Sequence, residues 1–196
     1  MTDSPAQYPT LVPMFDELRG ERVLVRPYRL EDAEALKEAV EESREHIRPW
    51  LPFADRHQTI EETRDWIVQG MAKWLLREDM HCGIWELATG RFLGGVGLHT
   101  RNWQIKYFEI GYWLRKSAEG HGYMTEAAKL VADFALHKLN ANRVEIRCDE
   151  GNARSAAVAR RLGFVEEGRL RNREPGPDGT LRTMLYFSLV PEDLNG

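Results

Sequence analysis

Cysteine is nearly missing from this chain: Cys82 and Cys148 are the two among 196 residues. Each sits in a strand-like run, which argues for buried thiols in a reducing compartment and against a disulfide framework. Long apolar runs are missing too. None approaches the roughly 20 residues that a bilayer span requires, so a membrane role is not expected. Positive charge is not in excess, since 27 Lys and Arg stand against 31 Asp and Glu for a net charge of −4. Nothing basic therefore marks the chain for nucleic acid, and with 30% charged and 42% apolar residues it is not of a disordered composition. The six histidines show no H-E-x-x-H or Cys/His ligand spacing, so no metal is expected. The opening MTDSPAQYPTLVPMFDEL lacks the basic start and apolar stretch of a secretory signal and reads as a tail over 1–18. Residues 19–196 then form one domain, long enough to bury a core without staples. Cytoplasm is the expected compartment.

What is present is a clear alternation of periods. Glu21 to Tyr28 has the period of a half-buried strand, and Leu30 to Ser43 has that of a helix with acids at its start. Thr59 and Glu62 have capping-box spacing ahead of a second helix, whose apolar positions are Trp66, Ile67, Gly70, Met71, Trp74 and Leu75. From Met80 the period becomes two, and a hairpin turning at Thr89-Gly90 is followed by a third strand, Lys106 to Arg115. A polar turn over Lys116 to Gly122 leads into a helix reaching Leu139, with an apolar stripe of Ala127, Leu130, Val131, Phe134 and Ala135. Asn142 to Cys148 is a strand, Asn152 to Leu162 a short helix closed by Gly163, and Phe164 to Arg173 with Leu181 to Val190 a last strand pair. This order predicts an α/β (α+β) fold with a mixed, mostly antiparallel sheet of about seven strands, flanking helices and one central β-α-β crossover.

The most informative stretch is Glu109 to Ala127, EIGYWLRKSAEGHGYMTEA, where a strand runs through Gly120 and Gly122 into a helix start. A helix N-terminus has unpaired amides and partial positive charge, and glycines ahead of it let a pyrophosphate approach the backbone. A turn that only needs positive φ is the competing meaning. A dinucleotide loop would need a third glycine where Thr125 stands, and no G-x-x-x-x-G-K-[ST] is present. The segment instead resembles the acetyl-CoA loop of the GNAT superfamily, mapped onto Glu119-Gly120-His121-Gly122-Tyr123-Met124. The likeness continues through Glu109 to Trp113, Thr125 to Ala127, Asn152 to Ser155 and Leu162 to Phe164, in the family's order and spacing. With Trp50-Leu51-Pro52 and the Thr59 to Glu62 helix start, the chain looks most like the ribosomal-protein N-terminal acetyltransferase branch, the RimL/RimJ type, over roughly residues 20 to 190.

The resemblance implies an acetyl-CoA-dependent N-acetyltransferase working by direct transfer in a ternary complex, with acetyl-CoA as co-substrate. It implies cofactor contacts at Trp113, Leu114, Arg115, Gly120, His121, Gly122, Tyr123, Met124, Thr125 and Asn152, and a backbone N–H on the strand at Trp113 to Arg115 for the thioester oxygen. Glu119 stands where the family has Gln or Arg; turned inward its carboxylate would repel phosphate, and Arg115, Lys116 or the Arg160-Arg161 pair could compensate. Ser155 shares a helix face with Val158, Ala159 and Leu162 and is a candidate acid, or else an N-terminal-turn serine; Asn152 is first an N-cap. Glu109 shares a strand face with Tyr107, Gly111 and Trp113 and is a candidate base, or else a glutamate at a sheet edge. An α-amine near ~8 needs less help to lose its proton than a lysine near ~10.4, which favours N-terminal substrates. The segment His46 to His57 lines the acceptor side in this branch, although the commoner meaning of Trp50, Phe53, Trp66 and Trp74 is core packing. The acceptor is expected to be a protein or peptide N-terminus, with a small amine (polyamine, amino sugar or aminoglycoside) as alternative. A silent CoA-binding module and a nucleotide-binding protein are the rivals, and a homodimer is reasonable.

Overall fold

The computed structural model describes residues 8–195; the first seven residues of the expected tail, and Gly196, lie outside the described residues. Eight strands form one sheet: β1 (Leu18–Arg19), β2 (Val23–Pro27), β3 (Asp79–Glu86), β4 (Phe92–Asn102), β5 (Tyr107–Leu114), β6 (Arg143–Asp149), β7 (Val165–Pro175) and β8 (Leu181–Leu189). Their order is β1-β2-β3-β4-β5-β6-β8-β7, so the sheet is mixed and largely antiparallel as expected. The strand beyond the expected seven is β1, whose two residues are too short to show a period. The lead-in segment also does more than trail: Val12, Met14, Phe15 and Leu18 pack on the core, with the Phe15 ring edge-on to Trp74 and Phe134.

Four helices cover the two faces: α1 (Ala33–Ile47), α2 (Ile60–Leu76), α3 (Tyr123–His137) and α4 (Ala153–Arg161). The parallel pair is β5 with β6, joined through α3, because a parallel connection requires a crossover of this length. On one face Phe108, Ile110, Val144 and Ile146 meet Ala127, Val131 and Ala135 of α3 and Ala156 and Ala159 of α4. Alanines at these positions let the helices approach the sheet closely. On the other face Tyr28, Trp85 and Phe92 meet Leu36 and Val40 of α1 and Ile67 of α2. The expected stripe of α2 is only partly used: Ile67 is fully buried, whereas Met71 and Leu75 are 46% and 68% exposed. Leu130 of α3 is likewise half-buried, because it faces the cleft described below.

Helix starts agree with the sequence. Thr59 Oγ1 accepts from the Glu62 amide at 3.1 Å, and the Glu62 carboxylate accepts from the Thr59 amide at 3.3 Å, a reciprocal capping box. Next to it His57 is fully buried, with Nδ1 3.2 Å from Thr63 Oγ1 and no hydrogen-bond partner at Nε2. Burial first, and then the Arg44 charge, push its pKa from 6.5 down to about 4.

The unfolded chain therefore takes up a proton below about pH 6.5 that the folded chain refuses until about pH 4. Stability from this group is full above pH 6.5 and falls between those values, by about 3 kcal/mol at 1.36 kcal/mol per unit. Urea melts of the protein and of His57→Leu across pH 4 to 7 should show this slope in the former and not in the latter.

Candidate active site

The pairing of β5 with β6 is short. Tyr107, Phe108 and Glu109 lie against Arg143, Val144 and Glu145, and beyond them the two strands are not paired. The gap opens into a cleft of about 2210 Å³ that runs from the α3 and α4 N-termini across to the segment 49–52 and the hairpin β7-β8. Which backbone groups face the gap follows from the neighbouring pair. Arg115 N–H donates to the Leu93 carbonyl at 2.8 Å, so the residues in step with Arg115, including Trp113, turn their amides toward β4. The amides of Tyr112 and Leu114 face the gap instead. The amides of Trp113 and Arg115 thus point away from the gap, and Leu114 N–H points into it.

The loop ahead of α3 is built as the glycines predict. Gly120 and Gly122 have φ of 80° and 78°, left-handed values that other residues adopt only at a cost. Gly122 is the N-cap, the first intrahelical bond runs from Glu126 N–H to the Gly122 carbonyl at 3.1 Å, and the amides of Tyr123, Met124 and Thr125 precede it. Gly120, Gly122, Met124 and Thr125 line the cleft. His121 and Tyr123 do not: their rings stack on each other at 5.7 Å, the His121 ring bonds the Glu119 carbonyl, and the Tyr123 hydroxyl bonds Glu86. These two contribute backbone, not side chain, to the loop. Arg22 clasps it from just ahead of β2, donating to the His121 carbonyl at 2.7 Å and to Glu126 at 2.9 Å.

Glu119 borders the cleft, and its charge is met by groups that the sequence did not suggest. Its two oxygens sit 2.5 Å from His46 Nε2 of α1 and 2.5 Å from Arg154 Nη1 of α4. Arg115 supplies no compensation, since it is 5% exposed and donates to Glu38, Glu42 and the Phe92 carbonyl. Burial opposes its charge, but those carboxylates outweigh burial and raise its pKa. Of the Arg160-Arg161 pair, Arg160 turns away to Glu166, while Arg161 borders the cleft and donates to Thr125 Oγ1 at 3.0 Å.

Asn152 is the N-cap of α4, accepting from the Ser155 amide at 3.1 Å. This frees the Ser155 hydroxyl from capping, and it donates to the Tyr112 hydroxyl at 3.2 Å, which donates to the Ser155 carbonyl at 3.1 Å. Burial raises the Tyr112 pKa, so the phenol holds its proton. Tyr112 was legible only as a residue on the face opposite Glu109. The pair sits at the open side of β5, where a departing thiolate would need a proton.

Glu109 is not at a sheet edge: it is 8% exposed on a central strand. Arg101 and Arg147 both donate to its Oε2, at 2.9 and 2.8 Å, and Arg147 reaches on to Glu174 at 2.6 Å. Two guanidiniums on one oxygen make it an anchor for charge in the cleft. One wall of the cleft is Pro49 to Pro52, held by Arg182, which donates to the Pro49 carbonyl at 2.7 Å and lies over the Trp50 ring. Trp50 borders the cleft, whereas Phe53 and Trp66 belong to the second core and Trp74 to the first.

A mixed sheet splayed at its one parallel pair, with a glycine loop and helix start at the mouth of the splay, defines a CoA-dependent acyltransferase. The sequence matches the acetyltransferase (GNAT) domain family over residues 22–165, and the chain belongs to that family. It is an acetyl-CoA-dependent N-acetyltransferase. A protein of Bacillus subtilis (strain 168), "Putative ribosomal N-acetyltransferase YdaF", is 30% identical over 93% of this chain and 99% of its own length. The ribosomal-protein-serine acetyltransferase of Escherichia coli (strain K12) is 36% identical over 43% of this chain and 48% of its own. Among solved structures, RimL, a ribosomal L7/L12 alpha-N-protein acetyltransferase in complex with coenzyme A, superposes with a TM-score of 0.83. At 20% identity it covers 89% of this chain and 97% of its own.

Gly122→Ala places a Cβ at φ 78° and 3.3 Å from Arg22 Nη2. It should weaken acetyl-CoA binding by about tenfold, from roughly 1–2 kcal/mol of backbone strain. Gly168→Ala, where a Cβ meets open space, should leave it unchanged by calorimetry.

Proposed function

We propose that this enzyme acetylates the N-terminal α-amine of a protein, with a ribosomal protein as the first candidate. The observation that carries the proposal is the acceptor half of the cleft. It is an open trough floored by sheet, not a closed pocket, and it runs between the Pro49 to Pro52 wall and the β7-β8 hairpin at Glu174 to Pro177. A chain end in extended conformation fits such a trough, and its charged floor of Arg101, Glu109, Arg147, Asp149 and Arg182 suits a backbone with polar side chains. Similarity to the two ribosomal acetyltransferases of Bacillus subtilis and Escherichia coli supports the same acceptor. Two buried thiols, Cys82 and Cys148, and the absence among the described residues of a helix able to cross a membrane support a cytoplasmic setting.

In this reading residues 19–196 act as one catalytic unit. Gly120, Gly122 and the amides of Tyr123, Met124 and Thr125 hold the pyrophosphate, and Arg161 adds positive charge beside them. Asn152 orders the start of α4 and so sets Ser155. Trp113 and Leu114 flank the thioester, with Leu114 N–H taking up the developing negative charge on its oxygen. Tyr112, held by Ser155, gives its proton to the sulfur. Glu109 fixes Arg101 and Arg147 around the acceptor.

Incubation with acetyl-CoA and a panel of free-N-terminus peptides, N-blocked lysine peptides, polyamines and aminoglycosides, read by mass spectrometry, tests the acceptor. Product on the free-terminus peptides is expected; product on small amines alone would overturn it. With the accepted substrate, Tyr112→Phe should lower kcat by about 10²-fold with little change in acetyl-CoA affinity, the usual size of a lost general acid. Ser155→Ala should cost less, because it removes only the partner of that hydroxyl.

A further inference from the structure

Asp79 opens β3 and is the register partner of His99 on β4, and His81 shares Asp79's strand face. The Asp79 carboxylate lies between the two rings. One oxygen is 3.0 Å from His81 Nε2, and the other is hydrogen-bonded to His99 Nδ1. Burial works against the carboxylate's charge, but the bonds to His81 and His99 outweigh it and hold the Asp79 pKa below the usual range. An ionised carboxylate only accepts hydrogen bonds, so His99 carries its proton on Nδ1, and in the neutral ring Nε2 is the acceptor.

The position of that nitrogen is set by glycine. His99 Nε2 lies 2.7 Å from where a Cβ on Gly111 would be and 3.1 Å from where one on Gly97 would be, and the two glycines are register partners on β5 and β4. The ring thus rests on bare backbone that any larger residue would remove. Gly111 directly precedes Tyr112, and Leu114, with its gap-facing amide, follows on the same strand. Asp79, His99 and Gly111 all border the cleft. The charged and titratable groups around the ring are Asp79 and His81 from β3, Arg101 from β4, and Glu109, its cross-strand partner on β5. From α2 the neighbour is Trp66, which stacks on His81 at 5.0 Å.

We infer that His99 is the base that takes the proton from the attacking amine, and that Asp79 is the positioning residue that fixes its tautomer. The inference rests on the amine-transfer reading of this cleft and is independent of which amine is the acceptor. His99 Nε2 accepts the amine N–H proton as the nitrogen bonds to the acyl carbon, and the resulting imidazolium is paired with Asp79. The C–S bond breaks with its electron pair on sulfur, Tyr112 protonates the sulfur, and solvent carries the His99 proton back to the Tyr112 oxygen. Glu109, the cross-strand partner of His99, has its Oε2 taken up by the guanidiniums of Arg101 and Arg147.

The test uses the full-length protein, His99→Gln and Asp79→Asn, each checked for fold by circular dichroism and thermal melting, on whichever amine the panel identifies. His99→Gln should lower kcat by about 10²-fold, the usual contribution of a general base, and abolish the acidic limb of the kcat/KM profile. The Kd for acetyl-CoA should stay within about twofold, since the thioester and pyrophosphate contacts are elsewhere. Asp79→Asn should lower kcat less and move the acidic limb to lower pH, because an imidazolium loses its anion. Long-range proton–nitrogen NMR spectra need no acceptor: His99 should appear as the Nδ1–H tautomer in the wild type. A His99→Gln enzyme with kcat within about threefold and an intact acidic limb, or an Nε2–H tautomer in the wild type, would overturn the assignment. Failure of the peptide acceptor alone would leave both readouts available on a small amine, and failure of every amine would leave the tautomer to decide.

Discussion

The parallel pairing of β5 with β6 ends after Glu109 and Glu145, and most of what this protein can do depends on that interruption. A sheet that stays paired hides its backbone donors in its own ladder. Here β4 satisfies one edge of β5 while the other edge is left open, so amides in the middle of the protein await a partner. The interruption holds because both strands are anchored independently. β5 is paired along its length to β4, β6 to β8, and Phe108, Ile110, Val144 and Ile146 are clamped by α3 and α4. The molecule thus keeps a gap open with core packing on one face and ion pairs on the other.

Those ion pairs follow a common logic. Glu109 carries Arg101 and Arg147, Glu145 carries Arg143 and the Tyr107 hydroxyl, and Arg182 joins Asp149 to the Pro49 to Pro52 wall. Each of these charged groups is matched by opposite charge, from another strand for Glu109 and Asp149 and from within β6 for Glu145, which lets a polar floor exist without an uncompensated buried ion. Glu119 belongs to the same scheme. A carboxylate that looks misplaced beside a glycine loop is paired with Arg154 and bonded to the His46 ring, and in doing so it ties α1 and α4 to that loop.

The sequence made the scaffold readable wherever a pattern was local. The shift from period 3.6 to period 2 at Met80, the capping box at Thr59 and the left-handed glycines at 120 and 122 each declared themselves within a few residues. The two faces of β5 were also readable, since alternation alone separates Glu109 from Tyr112. The partners of those residues were not. Arg147 is 38 positions from Glu109, Arg154 is 35 from Glu119, and His99 is 20 from Asp79. Nothing in the chain singles out these members from many others of their kind. For the same reason the stacking of the His121 and Tyr123 rings on each other, outside the cleft lining, was not legible. β1 escaped notice because two residues have no period, and the apolar breadth of α2 overstated how much of it the core accepts.

The clasp of Arg22 on the loop has a kinetic meaning. With its guanidinium on the His121 carbonyl and on Glu126, it joins the start of the first long strand of the sheet to the Gly120-Gly122 turn. The turn is therefore tied in place in the unliganded chain, and a ligand that docks on it has little conformational entropy to take away. Association at this end of the cleft then carries little cost of loop ordering.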